Sequence, residues 1–211
     1  MNKATYGRIT VGLIAAWFGF ALTASALHLF QTDPSRPPVA LGLAVLIPIG
    51  AFLLWFSRAA GFRAFALSLN PRTLTFVQSW RIAGFTFLVL YAAGMLPGGF
   101  ALPAGWGDIA IGVTAPLVAS KFATSSHRRF FLLWQILGIV DLVMAIALGT
   151  LARLISPHGV PTGVMTVLPM SLIPTFAVPL LIILHLICIA QARHGEQRQY
   201  LRAEEQVASS I

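Results

Sequence analysis

QSWRIAGFTFLVLYAAGMLPGGFALPAGWGDIAIGVTAPLVASK, residues Gln78 to Lys121, holds two apolar segments joined by a Gly/Pro connection. One cation, Arg81, stands early in the first segment, and one anion, Asp108, stands early in the second. An ionised side chain at the centre of a bilayer costs about 2.5–3.5 kcal/mol on insertion scales, so each of these charges needs a partner or a route to water.

The whole chain shares the character of that stretch. Of its 211 residues, 57% are hydrophobic and 9% are charged. A soluble domain carries about 25% charged residues, so too little polar surface remains here to cover a globule in water. The solvent this composition implies is lipid, and only helices or closed barrels satisfy their backbone there. Apolar runs of helical length select the helices: the expected fold is an all-α, polytopic integral membrane protein.

A spanning helix needs about 20 apolar residues. Six segments meet that measure, at 9–30, 39–56, 74–96, 103–120, 130–151 and 167–191. The run from Ile9 to Phe30 exceeds the roughly 7–15 residues of a signal-peptide core, so it reads as a retained first span. Pro37-Pro38 opens the second span, Asn70-Pro71 reads as a cap and first helical residue for the third, and Pro103 plays the latter part for the fourth. A five-span alternative makes 103–120 a re-entrant segment. Residues 1–192 thus form one transmembrane domain, and 193–211 a short polar tail that mixes Arg, Glu and Gln around Tyr200, Leu201 and Val207.

Net charge is +8, but the basic residues fall singly or in pairs between apolar runs, without interleaved aromatics. That pattern excludes a nucleic-acid patch and fits topology signals. Lys3 and Arg8, then Arg58, Arg63 and Arg72, then Lys121, Arg128 and Arg129, and finally Arg193, Arg198 and Arg202 alternate with connections holding only Arg36 and Arg153. With six spans the rich segments share one side, so both termini are expected in the cytoplasm and the protein in the cytoplasmic (inner) membrane. The apolar connection Ala59–Asn70 is expected to lie at the interface or to extend the second helix.

Arg81 and Asp108 have company at depth. At 1.5 Å per residue, Arg81 lies roughly 10 Å into the membrane from Leu74, Gln135 roughly 8 Å from Phe130, and Asp141 roughly 16 Å from the same edge. Counting from Ala119 places Asp108 at a central depth as well, and His185 sits about one and a half turns from the inner end of the sixth span. Arg81 cannot shed its proton, and pairing with Asp108 or Asp141 answers two buried charges together. One cation facing two carboxylates leaves one negative charge in excess, the raw material of a proton relay. The faces agree: Gly138, Asp141, Ala145 and Gly149 make one small-residue stripe, and Asp108, Gly112, Ala115 and Ala119 another.

Two further patterns bear on function. Ser79–Leu96 aligns with Leu133–Thr150, matching Trp80 with Trp134, Ile82 with Ile136 and Gly84 with Gly138, and setting Arg81 opposite Gln135. That echo suggests two parallel hairpin repeats, whose meeting place is where binding sites lie in such folds. In the sixth span, Pro169, Pro174 and Pro179 recur at five-residue intervals and are expected to kink or break that helix.

Other chemistry is weak in the chain. The lone Cys188 rules out a disulfide framework and a Cys-based metal site. His28 and His185 lie near opposite faces, too far apart for one haem, and His127, His158 and His194 fall in loops. No HExxH, GxSxG or P-loop spacing occurs. The glycines at 98–99, 105 and 107 read as a tight outer turn that sets Trp106 at the interface. No cofactor and no metal is expected.

The functional expectation is a small protein that moves protons, an ion or a solute, with Arg81, Asp108, Asp141, His185 and Gln135 as its buried polar cluster. The alternatives are an accessory or scaffold subunit whose charges are staples, and an intramembrane enzyme on a lipid or quinone. The chain shows no activated nucleophile, so the balance falls against an enzyme. Expected partners are the lipid bilayer and a membrane partner protein or a second copy of the chain.

Overall fold

The computed structural model describes residues 2–31, 38–123, 127–155 and 159–208. The expectations for Arg36, Pro37 and His158, and for the side chains of Arg153, Arg198, Tyr200, Leu201, Arg202 and Val207, fall outside what is described.

The described chain is helical, with no strand among the described residues. α1 (Lys3–Ala26) and α2 (Val39–Arg58) are followed by a short α3 (Ala60–Leu67). α4 (Pro71–Val77) runs through a 3₁₀ stretch, Gln78–Gly84, into α5 (Phe85–Ala92). α6 (Gly98–Leu117) ends in a π turn, Val118–Phe122, and α7 covers Arg128–Ile155. A second π turn, Ile173–Ala177, leads into α8 (Val178–Ala208). Among the described residues, six helices are long and apolar enough to cross a membrane: Lys3–Ala26, Val39–Arg58, Pro71–Ala92, Gly98–Phe122, Arg128–Ala152 and Ile173–Gly195.

Local chemistry explains most of the starts and stops. Asn2 caps α1 by accepting from the Thr5 amide, and Asn70 caps α4 by accepting from the Arg72 amide, with Pro71 at the first helical position. α5 gives way to a turn at Gly94, whose φ of +70° is easy only for glycine. α3 is separated from α2 by extended backbone at Ala59, so the 59–70 connection is a helix of its own rather than an extension of α2. Its Phe62 stacks flat on Trp55, with centroids 3.9 Å apart, and Tyr6 of α1 packs beside Phe62 and Phe65.

Several expected boundaries move. α6 begins at Gly98 with Pro97 as its cap, so Pro103 lies inside the helix and does not open it. The glycines at 98, 99, 105 and 107 belong to α6 and make no turn; Trp106 stands exposed partway along the helix. The segment of the re-entrant alternative forms a continuous 25-residue run, Gly98–Phe122, long and apolar enough to cross a membrane. The last long helix begins at Ile173 rather than at 167. Pro169 therefore precedes it, Pro174 sits at the start of the π turn, and Pro179 falls in the first turn of α8. The three prolines do not form a series of kinks within one helix, because the chain before Ile173 turns instead of spiralling.

The ends of the bundle are set by cross-helix contacts. Gln191 of α8 donates to the carbonyls of Ala66 and Leu69, Arg128 at the head of α7 donates to the Ala192 carbonyl, and Tyr6 packs on α3. These contacts gather the start of α1 and the region of Gln191 at one end, here the terminal end. Phe87, Phe100, Met165 and Met170 form a core cluster at the opposite end. Between these ends α6 and α7 are more deeply buried than α1 and α2, and all four helices carry exposed apolar side chains, such as Val11, Phe20, Leu46 and Ile47 on α1 and α2 and Val113 and Val140 on α6 and α7. Such faces suit lipid better than water.

Candidate functional site

Thr75, Gln78 and Arg81 recur every three residues and are 0%, 1% and 3% exposed. In an α-helix, three residues fall about 60° short of a full turn, so a three-residue stripe drifts off its face. A 3₁₀ helix has 3.0 residues per turn and eclipses i with i+3. The 3₁₀ stretch Gln78–Gly84 therefore keeps Gln78, Arg81 and Gly84 on one inward face, and these three are its buried residues.

On that face Arg81 spends every guanidinium nitrogen. Nε donates to Asp108 Oδ1 of α6 at 2.7 Å, and Nη2 donates to Asp141 Oδ2 of α7. Nη1 donates to the Gly138 carbonyl of α7 at 3.1 Å. The Arg81 side chain is 1% exposed, and those of Asp108 and Asp141 are 15% and 11% exposed. One guanidinium thus meets two carboxylates in the interior of the bundle, and the formal charge of the set is −1.

Glycines make room for these contacts. A Cβ on Gly84 would collide with Asp108, and one on Gly107 would collide with the Asp141 carboxylate. A Cβ on Gly138 would collide with the His185 ring. The small-residue stripes do face protein: Gly112 lies against the Ile82 backbone, and Ala115 and Ala119 are buried. At the far end of the α7 stripe, Gly149 is in ordinary contact with Phe100.

His185 and Gln135 form a second, neutral pair. His185 Nδ1 lies 2.5 Å from Gln135 Oε1, and Gln135 Nε2 donates to Thr75 Oγ1 at 3.1 Å. Thr75 Oγ1 in turn lies 3.9 Å from Cys188 Sγ. Gln78 Nε2 donates to the Leu181 carbonyl. His185 Nε2 is buried beside Gly138, whose carbonyl is held by Arg81, and has no hydrogen-bond partner among the described residues. The charged set and the neutral set are thus neighbours along the bundle axis, the neutral one nearer the terminal end.

Of the five residues expected to form the polar cluster, Arg81, Asp108 and Asp141 come into direct contact. Gln135 and His185 contact each other and meet the charged set through Gly138. Sequence reasoning passed over Thr75 and Gln78, although Thr75-x-x-Gln78-x-x-Arg81 is legible as a polar series at one spacing. It also misassigned Gly107, which seats Asp141. Among the described residues, no group of three or more His, Cys, Asp or Glu is arranged to hold a metal ion.

Asp108 also reaches a cavity of about 270 Å³. Its walls come from the start of α2, from α5, α6 and α7, from a 3₁₀ turn at Thr162–Thr166 and the π turn Ile173–Ala177, and from Val178 at the start of α8, and are mostly apolar. Among the described residues, Asp108 is the one charged residue on its lining. A buried ionic centre opening on an apolar chamber, within six helices of membrane-crossing length, defines a membrane-like helical bundle with an internal polar site.

Residues 36–193 match the family described as a domain of unknown function (DUF8737), and the chain belongs to that family. The match takes in every residue of both polar sets and leaves out α1. No curated protein and no solved structure matches the chain.

Proposed function

We propose that this is a six-pass protein of the cytoplasmic membrane, with both termini in the cytoplasm, that moves a proton or a small cationic solute across the bilayer. Arg81 is the fixed counter-charge, and Asp108 and Asp141 take up and release the mobile positive charge. The observation that carries this reading is the imbalance of the centre: two carboxylates share one guanidinium, and one of them lines a cavity. A buried excess charge is costly, and a single proton or monovalent cation brings the set to neutrality. The neutral chain of His185, Gln135 and Thr75 extends the polar column toward the terminal end, which the basic loops assign to the cytoplasm.

A staple is the second reading, and one observation favours it. Every nitrogen of Arg81 is engaged, so the residue ties the α4–α5 segment to α6 and α7. Proteoliposomes carrying a trapped pH indicator separate the two. The transport reading expects wild-type protein to dissipate an imposed pH gradient. It expects Asp141→Asn and Asp108→Asn to abolish that flux while the thermal midpoint in detergent stays within a few degrees. A staple expects no flux from the wild type and a large fall in midpoint from either substitution.

A further inference from the structure

The cavity beside Asp108 has a composition that selects its occupant. It lies between the start of α2 and the α6–α7 pair, and Phe87, Phe100, Ala145 and Met165 are among its apolar lining. Phe87 and Phe100 meet edge to face, with centroids 5.5 Å apart. The Thr150 hydroxyl, also on the lining, already donates to the Ile146 carbonyl of its own helix, so it offers an entering group an acceptor and no free proton. Asp108 spends Oδ1 on Arg81, and among the described residues no hydrogen bond is made to its Oδ2. Ligand pockets with mostly apolar walls and a few placed polar groups fix orientation through those groups. Here the placed group is a negatively charged acceptor, and aromatic walls are themselves attractive to cations.

We propose that this cavity binds a lipophilic organic monocation, an ammonium or similar group on an apolar body, with its charge against Asp108. The inference rests on the transport reading and gives that reading its substrate class. Neutral ligands leave the charge of the Arg81–Asp108–Asp141 set uncompensated, and anions add to it. A dication overshoots neutrality, and a strongly hydrated inorganic ion gains nothing from apolar walls. The charged groups facing Asp108 among the described residues are Arg81 and Asp141, so one unit of positive charge completes the set. Proton and organic cation then exclude one another. As the cation enters, a carboxyl O–H of the set dissociates, its proton leaves to water, and the ammonium takes over the charge. No covalent bond to the ligand forms or breaks.

The probes are benzyltrimethylammonium and neopentylbenzene, which share one shape and differ by one charge. Equilibrium binding to the purified full chain is measured at several pH values, with proton release followed in weak buffer. The proposal expects saturable binding of the cation, at least tenfold weaker binding of the neutral hydrocarbon, competition by protons, and release of close to one proton per cation bound. Asp108→Asn is expected to remove the preference for the cation. Because that variant disturbs the ion pairs, Ala145→Leu provides the second test: it fills the chamber from α7 without touching Arg81, and should lower cation affinity at least tenfold with the thermal midpoint retained.

Equal binding of both probes, or tighter binding of the hydrocarbon, overturns the proposal and makes the chamber a lipid-tail site. Binding of neither probe overturns it too. In both cases proton flux that depends on Asp141 in proteoliposomes would leave the transport reading standing, so the two can fail separately.

Discussion

In the hairpin of residues 71–122, Arg81 reaches across to Asp108, which packs against Gly84; in that of residues 128–195, Gln135 reaches across to His185, which packs against Gly138. The positions that correspond in the sequence echo, Arg81 with Gln135 and Gly84 with Gly138, therefore play the same geometric part. Each hairpin uses a long polar side chain on its first helix, a glycine three residues on, and a polar ring or carboxylate from its second helix. One hairpin carries charge and the other does not. Asp141, on the first helix of the neutral hairpin, crosses over to the charged one and links them. The echo has limits: Trp80 is 80% exposed, while its counterpart Trp134 is 6% exposed and donates to Thr114. What the pair teaches is that one steric frame holds either an ion pair or a neutral hydrogen bond. The choice of side chain decides whether the site stores charge.

The largest effect that tests this contrast is loss of the cation. Arg81→Leu leaves two carboxylates buried and unanswered, and removing one partner of a buried ion pair costs about 3–5 kcal/mol. The variant is expected to show the deepest fall in thermal midpoint of any single change in the bundle. Its counterpart Gln135→Leu strands His185 and Thr75 as neutral groups, at about 1–3 kcal/mol. Equal losses from the two, measured by thermal unfolding in the same detergent, would break the comparison.

Next come the glycine seats. Gly84→Ala, Gly107→Ala and Gly138→Ala each drive a methyl into a polar side chain from another helix, and overpacking costs typically about 1–3 kcal/mol. In the proteoliposome assay Gly84→Ala and Gly107→Ala are expected to lose flux, because they displace Asp108 and Asp141. Gly138→Ala should cost similar stability with a smaller effect on flux. The ratio of flux lost to stability lost sharpens the distinction between the halves. The smallest effect is expected from Thr75→Val, which removes one hydroxyl acceptor at about 1 kcal/mol and should leave proton flux within twofold of wild type.

The sequence made six long helices legible because their signal is bulk hydrophobicity, which does not depend on tertiary detail. Arg81, Asp108 and Asp141 were legible as partners because rise per residue gives depth and the small-residue stripes give facing. Boundaries near proline were not. Pro103 reads as a helix start from its chemistry alone, yet Pro97 takes the capping place and α6 carries Pro103 inside it. The 3₁₀ stretch at Gln78–Gly84 has no composition signal. It is visible only as the three-residue spacing of side chains that must share a face, and that spacing gains meaning once the partners on α6 and α7 are known. The cavity was out of reach for a similar reason. It is a space left among several separate elements, and no one segment encodes it.

The most direct test of the central claim is thermal unfolding of Arg81→Leu beside the triple variant Arg81→Leu/Asp108→Asn/Asp141→Asn. If the guanidinium answers both carboxylates in the interior, removing their charge restores most of the midpoint that Arg81→Leu loses, and the substitutions are strongly non-additive. A triple variant that is no more stable than Arg81→Leu, with losses that simply add, would contradict the buried ion-paired centre on which the account rests.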